Sequence, residues 1–377
     1  MTGSAMALMH EGQSVGGTYQ VERFLGEGAF AEVYRVKHRF LGRQAMKVLK
    51  MVGITLTDIE QFLEEAIILS RVGHPNIIRV FDANVTETSK GICGFFTMEY
   101  IAGGSLDHFW KSHASQFVPI ETSVEIMKQV CRGLAVAHSE RPPIIHRDIK
   151  PQNILVGYDM NGIRARVSDF GLAKRVNPMT LMASARGTRC FKPPEVFRDF
   201  QSDSRAGDVW AIGSTLYLLL TDRLPFSEPG EMNSFNSEWF KRPMVPPSRF
   251  NMLVDPVLDE IVSHALALKP EDRYPSATEF LDSISRWKPP TRSAAPQKPK
   301  ETCLKDLANE SKTALGAFSP ADQEMGENMA AQAIAFSREA GRLLDAADLM
   351  EEAFNKWPDL RKKYEYQLRI WRRGIMM

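Results

Sequence analysis

Cysteine is scarce in this 377-residue sequence: Cys93, Cys131, Cys190 and Cys303 are the whole set, and no two form a CxxC pair. Such spacing supports neither a zinc site nor a disulfide framework, and the thiols fit a reducing compartment. Net charge is slight, +1 at pH 7, so nothing draws the whole chain toward nucleic acid or an anionic membrane surface. Long apolar runs are missing as well. The stretch from Trp210 to Leu220 is apolar but too short to span a bilayer. The N-terminal MTGSAMALMHEGQSVGG lacks the basic start and apolar middle of a secretory signal. A cytoplasmic protein with no membrane contact is expected. Its length allows a large core and more than one folding unit.

Composition changes along the chain. Residues 1–18 are rich in Gly, Ser and Met without a period and read as a flexible leader. From Tyr19 short apolar runs broken by glycines predict strands. They are interrupted at 58–72 by a helical spacing of Ile59, Phe62, Leu63, Ala66, Ile67 and Leu69, with Thr57 or Asp58 as cap. Strands resume to Tyr100, and from about residue 102 to Trp287 the pattern is helical. Residues 288–302, KPPTRSAAPQKPKET, cannot bury a core and read as a linker. Residues 303–377 recover helical periodicity and form a small helical module.

The chemistry is concentrated in His146-Arg147-Asp148-Ile149-Lys150-Pro151-Gln152-Asn153 and in Asp169-Phe170-Gly171. Two carboxylates, an amide and an ammonium on adjacent loops can hold magnesium, neutralise a phosphate and orient a hydroxyl nucleophile. Upstream, Leu25-Gly26-Glu27-Gly28-Ala29-Phe30-Ala31-Glu32-Val33 sits between strand-like runs, where glycines let backbone amides approach phosphate oxygens. The strand containing Ala45, Met46 and Lys47 follows. HRDIKPQN, DFG, this loop and Gly187-Thr188-Arg189-Cys190-Phe191-Lys192-Pro193-Pro194-Glu195 together resemble the eukaryotic-like (Hanks-type) Ser/Thr protein kinases. Two positions depart from the family pattern: Ala31 replaces the third loop glycine, and Pro193 replaces the Ala of APE.

The resemblance covers about residues 19–287. It implies an α+β, bilobal protein kinase fold, with a strand-rich N-lobe at 19–101 and a helical C-lobe at 102–287. It also implies ATP- and Mg2+-dependent phosphorylation of Ser or Thr on proteins. Nucleotide would be held by Leu25, Gly26, Glu27, Gly28, Ala29, Phe30, Ala31, Val33, Ala45 and Lys47, and at the hinge by Met98, Glu99 and Ile101. Lys47 would bridge the α- and β-phosphates and take Glu65 as its carboxylate partner, with Glu64 on the wetter face. Asp148 would orient the attacking hydroxyl, Lys150 would neutralise the γ-phosphoryl group, and Asn153 and Asp169 would bind magnesium. Lysine two residues after the base is the Ser/Thr rather than the Tyr pattern. Thr188 would hydrogen-bond near Asp148 and Lys150, Glu195 would pair with Arg273, and Asp208 would brace the catalytic loop. Arg147 calls for an anion, which makes Thr180 and Ser184 the candidate phosphosites of the activation loop.

In the tail, Ala346, Ala353 and Pro358 match the last three marker positions of a tetratricopeptide-like helix pair. Leu360, Tyr364, Leu368 and Trp371 form an apolar stripe that needs a cover, either the kinase itself or a protein partner of residues 303–377. Nucleic acid is an unlikely partner, because the nearby basic residues repeat at helical spacing. The rival readings are a catalytically silent kinase-fold scaffold acting through these helices, and a small-molecule phosphotransferase of related fold.

Overall fold

Short runs of β-branched and aromatic residues between Ser14 and Glu99 build a six-stranded antiparallel sheet. In the computed structural model its strands are β1 (Ser14–Val15), β2 (Tyr19–Glu27), β3 (Ala31–His38), β4 (Gly42–Val52), β5 (Val80–Thr88) and β6 (Gly91–Glu99), ordered β1-β2-β3-β4-β6-β5. The structure describes residues 7–28, 30–53, 55–113, 117–159, 161–170, 188–199, 202–226, 240–290, 319–339 and 341–375, leaving aside the side chains of Phe62, Glu65, Thr188 and Arg189. The chain divides into two compact units, Met1–Ile101 with Asp169–Ser184, and Ala102–Ser168 with Ala185–Met377.

In the first unit, helix α1 (Leu56–Val72) buries Ile59, Leu63 and Leu69. It starts earlier than its apolar spacing predicts. Thr55, rather than Thr57 or Asp58, is the cap: its hydroxyl accepts from Asp58 N, and the Asp58 carboxylate accepts from Thr55 N at 3.0 Å. Gly73 at φ 69° ends the helix, in a left-handed conformation that favours glycine.

The expected flexible leader is corrected over residues 7–18. Leu8 and Met9 lie in the sheet core with Val15, Val21, Tyr34, Val36 and Phe95. Leu8 N donates to Glu32 Oε2 at 2.9 Å and Met9 N to the Tyr34 hydroxyl at 3.0 Å. Val15 pairs with Tyr19. The leader thus supplies main-chain donors to a buried carboxylate and a buried phenol, which burial alone would penalise.

The second unit is mainly helical: α2 (Leu106–Lys111), α3 (Ile120–Ser139), α4 (Arg205–Thr221), α5 (Pro256–Ala265) and α6 (Ala277–Arg286). The apolar run Trp210–Leu220 is the buried interior of α4, so its length serves a core. The helical reading of 102–287 missed a hairpin, β7 (Ile154–Asp159) with β8 (Gly162–Val167). Glu195 and Arg273 form the expected pair, with both guanidinium nitrogens on the carboxylate at 2.7 and 2.8 Å.

Three further helices, α7 (Pro320–Ser337), α8 (Leu343–Lys356) and α9 (Leu360–Arg372), belong to this same unit. Ser319 and Asp322 cap α7 reciprocally. Leu360, Leu368 and Trp371 are buried, with Tyr364 against them, among Ala330, Ala333, Ala346, Met350, Ala353 and Phe354. The stripe is therefore covered by α7 and α8, helped by Tyr158 of β7. The same helices are tied to the rest of the unit. Glu351 Oε1 accepts from Tyr158 N at 3.3 Å, and Asn355 Nδ2 donates to the Ala102 carbonyl at 3.4 Å. Arg361 donates to the Ser112 hydroxyl and lies over the Phe109 ring. The helices pack as part of the C-terminal unit, not as a detached module.

Candidate active site

In the first unit, strand register gathers residues expected to hold the nucleotide. Directly paired residues of antiparallel strands point to the same face. Val33 pairs with Lys47, and Ala45 pairs with Met98, so Val33, Ala45, Lys47 and Met98 share one face of the sheet. Leu25 and Gly26 stand near the end of β2, where Gly26 pairs with Val33. The turn that follows is closed by Gly28 N donating to the Ala31 carbonyl at 2.8 Å, and Lys50 N donates to the Phe30 carbonyl. Ala29 lies outside the described residues. Lys50 Nζ binds Glu27 and, at 2.8 Å, the Gly28 carbonyl, a tether that sequence reasoning missed. Met98 is buried at the end of β6, and Glu99 N donates to the Arg79 carbonyl at 3.0 Å. Ile101, half-buried, ends the unit.

Lys47 pairs with Asp169 of the same unit, Nζ to Oδ1 at 2.7 Å, with both side chains under a fifth exposed. A half-buried ammonium requires such a carboxylate. The Glu65 side chain expected in this role lies outside the described residues, and Glu64 is exposed. Asp169 has φ 67°, a left-handed backbone uncommon for a residue with a Cβ. Phe170 beside it is buried.

The HRDIKPQN loop lies in the second unit and is fixed from beneath by Asp208 of α4. Its carboxylate accepts from His146 N at 2.7 Å, Arg147 N at 2.9 Å and His138 Nε2 at 3.0 Å. Burial pushes the Asp208 carboxyl up, but these donors hold it below the ordinary carboxylate value. His146 is fully buried and bonds through Nε2 to the Ser168 carbonyl at 2.8 Å. Its Nδ1 accepts from Asp148 N at 3.2 Å.

Asp148 Oδ2 lies 2.7 Å from Lys150 Nζ and accepts from Asn153 Nδ2 at 3.0 Å. Asn153 Nδ2 also donates to the Asp148 carbonyl at 2.8 Å. A second cation is one that sequence reasoning missed: Lys192 Nζ lies 3.2 Å from Oδ1. Burial alone would raise the Asp148 carboxyl, yet Lys150 and Lys192 hold it far below the usual range, so it stays ionised. Lys192 stands in the Gly187–Glu195 motif block, but nothing there marked its pairing with Asp148, 44 positions away. Thr188 opens the short turn Thr188–Phe191, but its side chain, like all of Thr180 and Ser184, lies outside the described residues.

The donors expected to hold magnesium suit a hard cation. In the second unit Asn153 turns its amide nitrogen to Asp148 and has a carbonyl oxygen besides, and in the first unit Asp169 carries a carboxylate, both oxygen donors of the kind such a cation takes.

Known proteins bear on this arrangement. The family described as protein kinase domain matches residues 19–301. The serine/threonine-protein kinase Pkn1 of Myxococcus xanthus is 34% identical over 277 residues, covering 71% of this chain and 38% of that protein. The serine/threonine-protein kinase PknB of Mycolicibacterium smegmatis is 31% identical over 317 residues, 82% of this chain and 48% of that one. Among solved structures, the PknI kinase domain of Mycobacterium tuberculosis superposes with a TM-score of 0.54 at 26% identity, covering 74% of this chain and 99% of that domain. The chain spans less than half the length of the curated relatives it matches, 28% for one of the first and 48% for PknB.

Proposed function

Since the chain belongs to the protein kinase family, through a match over residues 19–301, we propose that it transfers the γ-phosphoryl group of ATP to Ser or Thr hydroxyls of proteins, with Mg2+ as cofactor. The observation that carries this reading is the Asp148 carboxylate, held by Lys150 and Asn153 on one loop.

Phosphoryl transfer needs alignment and charge neutralisation more than covalent help. In this reading Met98 lines the adenine pocket, and the carbonyl of Glu99 and the main chain of Ile101 read the adenine edge. The turn from Leu25 to Val33, which includes Ala29, covers the phosphates above Ala45. Lys47 moves between Asp169 and the α- and β-phosphates, and Glu65 is the further carboxylate open to it. Asp148 orients the acceptor hydroxyl, and Lys150 neutralises the phosphoryl group as its charge spreads. Asn153 and Asp169 hold magnesium, which supplies neutralisation of the phosphate charge when bound. Lys150, two residues after Asp148, favours Ser and Thr over Tyr as acceptors.

Thr188 is assigned to the substrate loop, and Thr180 and Ser184 to regulation by phosphorylation. Cytoplasmic residence is part of the proposal; among the described residues no helix is long and apolar enough to cross a membrane. A protein partner on the outward faces of α7–α9, where Met325, Leu344 and Tyr366 are exposed, belongs to it too.

Asp148→Asn tests the central claim. Turnover of a generic protein substrate should fall by roughly three orders of magnitude while nucleotide binding persists, since proton acceptor and alignment are lost together. Turnover near the original rate would refute the assignment.

A further inference from the structure

Asp148 is held from two sides. Lys150 reaches Oδ2 from within the same loop, whereas Lys192 reaches Oδ1 from the segment after the Thr188–Phe191 turn. Lys192 also donates to the carbonyl of Arg147, so one ammonium binds both the carboxylate and the main chain just before it. Its side chain is only 15% exposed, unlike the solvated lysine of an ordinary surface. The segment that carries it is anchored: Phe191 and Pro194 are buried, and Glu195 is clamped by both nitrogens of Arg273.

Lys150 cannot serve two anions at full strength. Here it pairs with Asp148, but in the proposed reaction it turns to the phosphoryl group. At that moment Asp148 would lose a counter-charge while negative charge accumulates nearby, and a partly buried carboxylate without a partner is costly. Lys192 is outside this competition. It sits on the opposite oxygen, and its second bond goes to a carbonyl of the protein.

We propose that Lys192 is a positioning residue for phosphoryl transfer: it holds Asp148 by Oδ1 and the Arg147 carbonyl, and so keeps the carboxylate in place when Lys150 leaves Oδ2. Oδ2 then takes the acceptor hydroxyl. The hydroxyl oxygen bonds to the γ-phosphorus, the bond from that phosphorus to the β–γ bridging oxygen breaks, and ADP leaves with the electron pair. The hydroxyl proton passes to Oδ2. The inference rests on the reading of Asp148 given above.

The test uses the full chain with ATP, Mg2+ and a generic protein substrate. Lys192→Met keeps the apolar stem and removes the charge; Lys192→Arg restores the charge. With Lys192→Met, kcat should fall by about tenfold or more while KM for ATP and the affinity for ADP stay within about twofold, the split expected when an interaction matters in the transition state alone. Lys192→Arg should recover much of the loss, and melting temperatures should stay close to the parent. Unchanged kcat in Lys192→Met overturns the proposal, as does equal loss in the Met and Arg variants. Should Lys192→Met not fold, Lys192→Gln, which keeps a donor for the Arg147 carbonyl, is read by the same criteria. Asp148→Asn run in parallel separates the levels. Full activity there removes the reading beneath, whereas an inactive Asp148→Asn beside a normal Lys192→Met removes this inference alone.

Discussion

Arg147 Nε donates to Asp203 Oδ2 at 2.5 Å, while its Nη1 donates to the Ile145 carbonyl at 2.8 Å. The arginine that called for an anion has a carboxylate of the chain itself, from the residue just before the Ser204 cap of α4. Charge-assisted bonds of this kind are among the stronger ones a protein makes.

The pairing predicts an activity that depends little on loop phosphate. In phosphatase-treated protein, Asp203→Asn should lower kcat by about tenfold, the scale of one charge-assisted bond. In protein phosphorylated at Thr180 or Ser184 the same substitution should cost much less, because phosphate can take the guanidinium. Equal losses in the two forms, measured side by side with phosphorylation followed by mass spectrometry of residues 176–186, would show that Asp203 does not stand in for phosphate.

Lys47→Met should fold and lose turnover. The stem keeps its packing, and the Asp169 carboxylate it abandons is 17% exposed, so solvent can reach it. Thermal unfolding should shift by no more than about 2 °C, the size of a change near 1 kcal/mol in a protein of this length. A much larger drop would make Lys47 a structural residue.

Removal of the three C-terminal helices should destabilise the chain. From sequence alone, a chain ending near Trp287 is expected to keep basal activity, because the stretch 288–302 sets the helices apart. The packing argues otherwise: without α7–α9, Tyr158, Phe109 and the Ala102 carbonyl lose the side chains bound to them. The shortened protein should be less soluble or melt several degrees lower, on the scale that losing a buried aromatic contact sets. A soluble product with an unchanged melting temperature would mean that the helices rest on the C-terminal unit without supporting it.

Glu351 gives a pH-dependent stability. It is fully buried in α8; burial pushes its carboxyl up to about 7, against the pull of Arg372, whose Nη2 is 2.7 Å from Oε1. A carboxyl with a folded pKa above its unfolded value binds its proton more tightly in the folded state. Its contribution is full below about pH 4.5 and is lost as pH rises through about 7. The loss is on the order of 3 kcal/mol. Glu351→Gln should therefore raise the melting temperature at pH 8 relative to the parent and change it little at pH 5, with Asp348 still pairing Arg372. A parent protein equally stable at the two pH values would contradict this.

What the sequence made legible was local. HRDIKPQN and DFG placed Asp148, Lys150, Asn153 and Asp169 because contiguous residues set their own spacing, and the pairs Glu195–Arg273 and Asp208–loop followed from motif order. The bonds that cross the chain were hidden. Lys192 and Asp203 sit in segments with no periodic signal, and only folding brings them to Asp148 and Arg147. The stripe from Leu360 to Trp371 announced that something covers it but not what, since an apolar face carries no address. The β7–β8 hairpin was missed because the short apolar run of β7, ILVGYD, reads alike in helix and strand, although the alternation of GIRARV in β8 is a strand signal.

The recognisable part of the chain and the part that folds with it do not start at the same residue. The family match opens at Tyr19, the first residue of β2. Yet the Glu32 carboxylate and the Tyr34 hydroxyl, joined to each other within β3, take their remaining donors from Leu8 N and Met9 N. Cutting at the family boundary would leave two adjacent oxygens facing each other with neither of those N–H groups to bridge them, and would open the sheet core where two apolar side chains had plugged it. For expression, tagging or comparison with relatives, the working boundary of this catalytic unit is Leu8 or earlier.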